Sequence, residues 1–120
     1  MAETSTDPDC LFCRMVAGTI SVDRVYGDDH VLAFKDINPQ APTHVLVIPR
    51  THIATVNDLT AAEHELVGRL YTVAAGIAAR NGFADSGYRL VMNCNKDGGQ
   101  SVGHIHLHLL AGRRMAWPPG

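Results

Sequence analysis

His104-Ile-His106-Leu-His108-Leu-Leu110 decides the reading of this chain, because imidazole and aliphatic side chains alternate along it. Successive side chains on a strand point to opposite faces, so His104, His106 and His108 are expected to project together. Ile105, Leu107 and Leu109 then pack on the core. Three imidazoles on one strand face are improbable as mere surface, and two chemistries fit them. One is a metal site, since neutral imidazole is a common zinc ligand. The other is a nucleophile with supporting neighbours. The preceding stretch, Lys96-Asp-Gly-Gly-Gln-Ser101, separates the two. It reads as a polar loop in which Gly98 and Gly99 let the backbone approach a ligand, and their N–H groups are expected to form an anion-binding nest. Gln100 and Ser101 add side-chain donors. A loop built for an anion and followed at once by histidines points to phosphoryl chemistry.

Working outward, the histidine run is expected to be the last strand, from His104 to Leu110. Cys10 to Ala17 reads as a short helix with Gly18 placed to end it. Val22 to Tyr26 and His30 to Phe34 flank Gly27-Asp28-Asp29 and read as a hairpin. Asn38 to Pro42 is a loop on two prolines. His44-Val-Leu-Val-Ile48 is a nearly continuous apolar run, typical of a strand buried on both faces, and Pro49 stops it. Thr60-Ala-Ala-Glu63 is a capping box, with Leu66, Leu70, Val73 and Ile77 following at helical spacing. A long amphipathic helix is therefore expected to about Arg80, closed by Asn81-Gly82. Tyr88 to Asn93 is a further strand. One long and one short helix among roughly five strands, most joined by short turns, predict an α+β domain with an antiparallel sheet.

The chain has 120 residues, which suits one domain, assigned to 10–120 behind a flexible tail over 1–9. A formal net charge of −2 gives no electrostatic case for nucleic acid or an anionic membrane. No apolar run reaches the ~18 residues of a membrane span, and no signal-peptide pattern opens the chain. A cytoplasmic location is the expectation. Cys10 and Cys13 form a Cys-x-x-Cys that reads as a metal pair, a redox pair or two thiols one helical turn apart. No thioredoxin-like βαβ pattern accompanies it. Cys94 stands alone and is expected to be buried filler.

The run Gly99-Gln-Ser-Val-Gly-His104-Ile-His106-Leu-His108-Leu-Leu110 resembles the signature of the histidine triad (HIT) superfamily. The likeness extends to Leu32-Ala-Phe-Lys-Asp36-Ile37, to Gln40-Ala-Pro-Thr-His44-Val-Leu-Val-Ile-Pro49 and to Trp117-Pro-Pro-Gly120. That tail makes the chain most similar to the Hint branch, the purine nucleoside phosphoramidases. The galactose-1-phosphate uridylyltransferase branch has Gln where His108 stands. The resemblance implies a HIT-like fold and hydrolysis of purine nucleoside 5′-phosphoramidates, conjugates of AMP or GMP, with no organic cofactor.

In that reading His106 is the nucleophile, its ring held by the backbone carbonyl of His104. His108 contacts the phosphate and leaving group, Ser101 bonds the departing amine, and His44 supports the cluster. Asp36 holds the ribose hydroxyls. Phe12, Met15, Ile20, Phe34 and Ile37 form the slot for the base. Asn93, Gly99 and Gln100 complete the ribose and phosphate contacts. The resemblance also implies a homodimer, built on the long helix and the strand over 88–93, with Trp117 brought to the partner's site. Ala116 departs from the histidine common in animal relatives. Cys-x-x-Cys departs from them too, but some bacterial HIT proteins carry it with a structural zinc. The ligands carried over are Cys10, Cys13, His52 and His104. Dinucleoside polyphosphate hydrolysis and a non-catalytic nucleotide-binding or scaffold role are the alternative functions.

Overall fold

The computed structural model describes residues 7–120, so the tail expected over 1–9 lies largely outside the described residues. Its last residues form a turn in which the Cys10 N–H donates to the Asp7 carbonyl, leading into the first helix. The elements are α1 (Leu11–Ala17), β1 (Arg24–Gly27), β2 (Val31–Lys35), β3 (Thr43–Pro49), α2 (His64–Arg80), β4 (Arg89–Val91), α3 (Asn95–Gly98) and β5 (Leu107–Ala111). Two 3-10 turns, Val56–Asp58 and Ala61–Glu63, precede α2. The five strands form one antiparallel sheet in the order β1-β2-β3-β5-β4, the α+β arrangement expected.

The continuous apolar run of β3 has its explanation in the two layers that cover it. Val45 and Val47 join Val31 and Ala33 of β2 and Leu107 and Leu109 of β5 beneath α2. Leu46 and Ile48 face the other way, with Leu32 and Phe34, against Cys10, Phe12 and Cys13 at α1. Alternation along β2 and β3 thus feeds two cores from one sheet. Helix α2 turns Leu70, Ala74, Ile77 and Ala78 to the sheet, all fully buried, while Leu66 and Val73 are half-buried. The buried stripe is centred one position from the expected one.

The capping box at Thr60 is present: Glu63 Oε1 accepts the Thr60 N–H at 2.7 Å, and Thr60 Oγ1 accepts the Ala62 N–H at 3.2 Å. It caps the 3-10 turn that runs on into α2. At the far end the Asn81 side chain donates to the Ile77 carbonyl at 2.8 Å. Gly18 ends α1 at φ +82°, a left-handed cap that an L side chain rarely adopts.

Several expectations are corrected. The last strand begins at Leu107 rather than His104, because the Ile105 N–H is taken by the Ile53 carbonyl in a loop, not by β3. The stretch before it is not a simple loop, since Asn95–Gly98 closes a helical turn with Gly99 at φ +81° as its cap. The same cap takes up part of the expected nest. The Gly99 and Gln100 N–H groups bond the Lys96 and Asn95 carbonyls, each at 3.0 Å, and are spent on the cap. The fourth strand is shorter than expected, and Cys94 is half-buried rather than buried.

Candidate functional site

The three histidines leave the end of β5 on the α1 side of the sheet, while Ile105, Leu107 and Leu109 enter the α2 core. Each imidazole is oriented by a different neighbour. His106 is buried, and its Nδ1 lies 2.8 Å from the His104 carbonyl oxygen. A carbonyl can only accept, so Nδ1 carries the proton and Nε2 keeps the free lone pair. Burial is the main force on its titration and pushes the pKa down, so the neutral form prevails at neutral pH.

His104 is fully buried, with Nε2 donating to the Pro49 carbonyl at 2.8 Å. Its bare Nδ1 therefore faces Cys10 Sγ at 3.4 Å, Cys13 Sγ at 3.6 Å and His52 Nδ1 at 3.3 Å. Cys13 Sγ lies 3.2 Å from His52 Nδ1. All four donor atoms fall within 4.8 Å of one another. Zinc bonds of ~2.0–2.3 Å make a tetrahedron with edges of roughly 3.3–3.8 Å, so the four contacts of 3.2–3.6 Å have the spacing of neighbouring ligands on one ion. The donor chemistry fits a metal ion. Burial holds His104 neutral, its pKa lowered to about 4, which is the form a ligand needs. The Cys13 N–H donates to Cys10 Sγ at 3.3 Å, an arrangement that suits a thiolate.

At the other end, His108 Nδ1 lies 2.9 Å from His44 Nε2. His44 Nδ1 accepts the Gln40 backbone N–H at 3.0 Å, and Asp36 Oδ2 lies 3.5 Å from His44 Nε2. Desolvation lowers both pKa values, that of His108 to about 4. Asp36 does cap a turn, because its Oδ1 accepts the Asn38 N–H at 2.9 Å, but it also borders the cavity.

A cavity of about 590 Å³ opens beside His106 and His108. Of the expected residues Phe12, Met15, Phe34, Asp36, Ile37, Ser101, His106 and His108 line it. Ile37 is almost wholly exposed and stands at the rim. Ile20, Asn93, Gly99, Gln100 and Trp117 do not line it. Gln100 is committed to its own loop: Nε2 donates to the Ala54 and Val102 carbonyls at 2.7 and 3.0 Å, and Oε1 accepts the Asn95 N–H at 2.8 Å. Trp117 is 83% exposed on the single chain. Leu11, Ser21, Val22, Asp23, Lys35, Leu46 and Val102 also line the cavity and were not anticipated. Leu46 was legible from alternation along β3. Lys35 ends β2, and the others lie on loops or at a helix end, where no period marks a facing side. Phe12 joins the regions, with its ring 5.6 Å from Phe34, 5.8 Å from His104 and 5.1 Å from His106 in edge-on contacts.

No helix among the described residues is long and apolar enough to cross a membrane. The chain is 53% identical over 107 residues to the purine nucleoside phosphoramidase of Escherichia coli K12, covering 89% of this chain and 90% of that protein. It is 47% identical to an uncharacterised HIT-like protein of Synechococcus elongatus, covering 93% of this chain and 97% of that one. Among solved structures, a HIT family hydrolase from Legionella pneumophila Philadelphia 1 superposes with a TM-score of 0.92 at 52% identity, covering 93% of this chain and all of that one. A histidine triad protein from Clostridium difficile follows the same fold with a TM-score of 0.90 at 42% identity, covering 93% and 97%. The family model described as HIT domain matches residues 17–115. With its paired histidines, its cavity and this match over most of its length, the chain belongs to the HIT domain family.

Proposed function

We propose that the protein is a HIT-family hydrolase that releases a purine nucleoside monophosphate from nucleoside 5′-phosphoramidates through a covalent bond to His106. The observation that carries this reading is the 2.8 Å contact from His106 Nδ1 to the His104 carbonyl, which leaves an unprotonated Nε2 beside an open apolar cavity. Nε2 attacks the α-phosphorus. The P–N bond breaks, its electron pair leaves on the amine, and the amine takes a proton from water at the exposed mouth beside Ser101. Water then attacks the nucleotidyl-histidine, its proton neutralising the hydroxide left by the first step, and the P–Nε2 electron pair returns to the ring. One hard displacement becomes two easier ones. Phe12, Met15 and Phe34 offer a planar base an apolar slot, and Asp36 offers two acceptor oxygens to the ribose hydroxyls. Selection of purines, AMP or GMP conjugates, is supported by the name of the E. coli relative.

Replacing His106 with Ala or Asn is expected to lower release of AMP from an adenosine phosphoramidate by at least about a thousandfold. Full activity in either variant overturns the assignment.

Cys10, Cys13, His52 and His104 would hold a structural zinc, a closed Cys2His2 set with no position left for chemistry. Bound there, the ion would fix His104 and through its carbonyl the orientation of His106. Cysteines kept out of disulfides at these positions suit a reducing compartment such as the cytoplasm. A homodimer would bury the exposed Trp117 near a partner's cavity, and a solution mass of one chain would refute it.

A further inference from the structure

Each side chain of the Cys10, Cys13, His52 and His104 set has a partner outside the set or in its backbone. The Cys13 N–H donates to Cys10 Sγ at 3.3 Å, and His104 Nε2 donates to the Pro49 carbonyl at 2.8 Å. The other two side chains, those of Cys13 and His52, share a single residue. Burial pushes the Cys13 thiol up, and the Asp7 backbone N–H, donating to Cys13 Sγ, works against it. Asp7 Oδ2 lies 4.0 Å from His52 Nε2. His52 turns Nδ1 toward Cys13 Sγ and His104 Nδ1, so as a ligand through Nδ1 it keeps its proton on Nε2, the side of the carboxylate. The Asp7 carbonyl meanwhile accepts the Cys10 N–H at 2.9 Å.

A turn explains only part of this. Asp7 Oδ1 accepts the Asp9 N–H at 2.9 Å, the ordinary use of an aspartate in a turn. That leaves Oδ2 and the peptide N–H, and both face the cluster. A residue before a proline is kept out of helical backbone, so Pro8 sets Asp7 apart from α1 with its peptide groups available to other partners. An exposed carboxylate near a neutral imidazole contributes little. A cation on Nδ1 polarises the N–H on the far side of the ring, and the same carboxylate then has a donor to hold.

We infer that Asp7 is a positioning residue of the metal centre, its carboxylate orienting His52 through Nε2–H and its peptide N–H stabilising the Cys13 thiolate. One residue ahead of the Cys-x-x-Cys thus steadies a sulfur and an imidazole from opposite ends of the set. Because its carbonyl also takes the Cys10 N–H, Asp7 ties loading of the site to the start of α1, whose Leu11 and Phe12 line the nucleotide cavity.

This role rests on the zinc reading, and the two are tested apart. In protein loaded with NMR-active cadmium, an N–H···S bond transmits scalar coupling from the metal to the amide proton, and coupling is expected at the Asp7 N–H. In competition with a chromophoric chelator, Asp7→Asn is expected to bind zinc about tenfold more weakly than wild type. Asparagine keeps an oxygen for the Asp9 N–H and loses the anionic one facing His52, so the turn alone does not move this readout. Asp9→Ala removes an equal charge beside Cys10 and is expected to keep wild-type affinity. Wild-type affinity in Asp7→Asn, or an equal loss in Asp9→Ala, overturns the role. Cadmium uptake without coupling at the Asp7 amide overturns it too and leaves the metal reading standing. A wild type that takes up neither cadmium nor zinc removes the metal reading and this role with it.

Discussion

At the His104 end of the histidine run, two thiols and two imidazoles are linked by four contacts of 3.2–3.6 Å between their donor atoms. At the His108 end, an imidazole meets an imidazole at 2.9 Å with a backbone N–H behind it. The residue types overlap, but the logic is opposite. Around His104 a bare ring nitrogen faces two sulfurs and a second imidazole, because the Pro49 carbonyl has already claimed the ring proton. Such a cluster could hold a metal ion. Around His108 donors and acceptors alternate, so the chain of rings is satisfied by itself. His106 lies between, tied to the first end by the His104 carbonyl and to the second by ring contact with His108. What decides whether a histidine is a ligand or a hydrogen-bond donor is which of its nitrogens the backbone has taken.

The largest effect that tests this contrast is expected at the metal end. Protein purified without chelator should carry about one zinc per chain, and Cys13→Ser should lose it and unfold at a midpoint lower by roughly 10 °C or more. A metal-free wild type that melts at the same temperature as the loaded protein would erase the distinction. The hydrogen-bonded end should fail differently, by acid. An unfolded histidine titrates near ~6.5, whereas burial lowers the pKa of folded His44 and brings that of His108 to about 4. Between those values the unfolded chain binds more protons, so this contribution is whole above pH ~6.5 and lost as pH falls toward 4. The melting temperature is therefore expected to fall across that window, and less steeply in His108→Asn. Acid releases zinc as well, so the difference between the two curves is the quantity to measure. Parallel curves would mean that His108 does not titrate on unfolding.

Much of the fold was legible because it depends on period. The apolar run His44 to Ile48 announced a strand covered on both faces, and both cores are there. Thr60 and Glu63 announced a helix start through their reciprocal hydrogen bonds, and Asn81 its end. Errors fell where a backbone group has a partner distant in sequence. Ile105 looks like part of a strand, yet its N–H belongs to Ile53. Gly98-Gly99 looks like an open turn, yet the amides that follow close a helical cap. The candidate site divides in the same way. Cys10, Cys13, His52 and His104 were named as a set from family resemblance, and their donor atoms do converge. Val22 and Val102 were missed, since nothing in a loop's sequence tells which side faces a cavity.

The sequence by itself determined the alternation that sends His106 and His108 to one side and Leu107 and Leu109 to the other, because a strand has a period of two and no other choice. It also determined the residue types available for metal and phosphorus chemistry. Only the tertiary structure decided which ring nitrogen of each histidine carries its proton. That choice belongs to the Pro49, His104 and Gln40 peptides, and to how folding aims them at rings up to 55 residues away in the chain. A carbonyl forces a proton onto the nitrogen it faces and an N–H forces one off, so three otherwise equivalent imidazoles become unlike only once the backbone is in place.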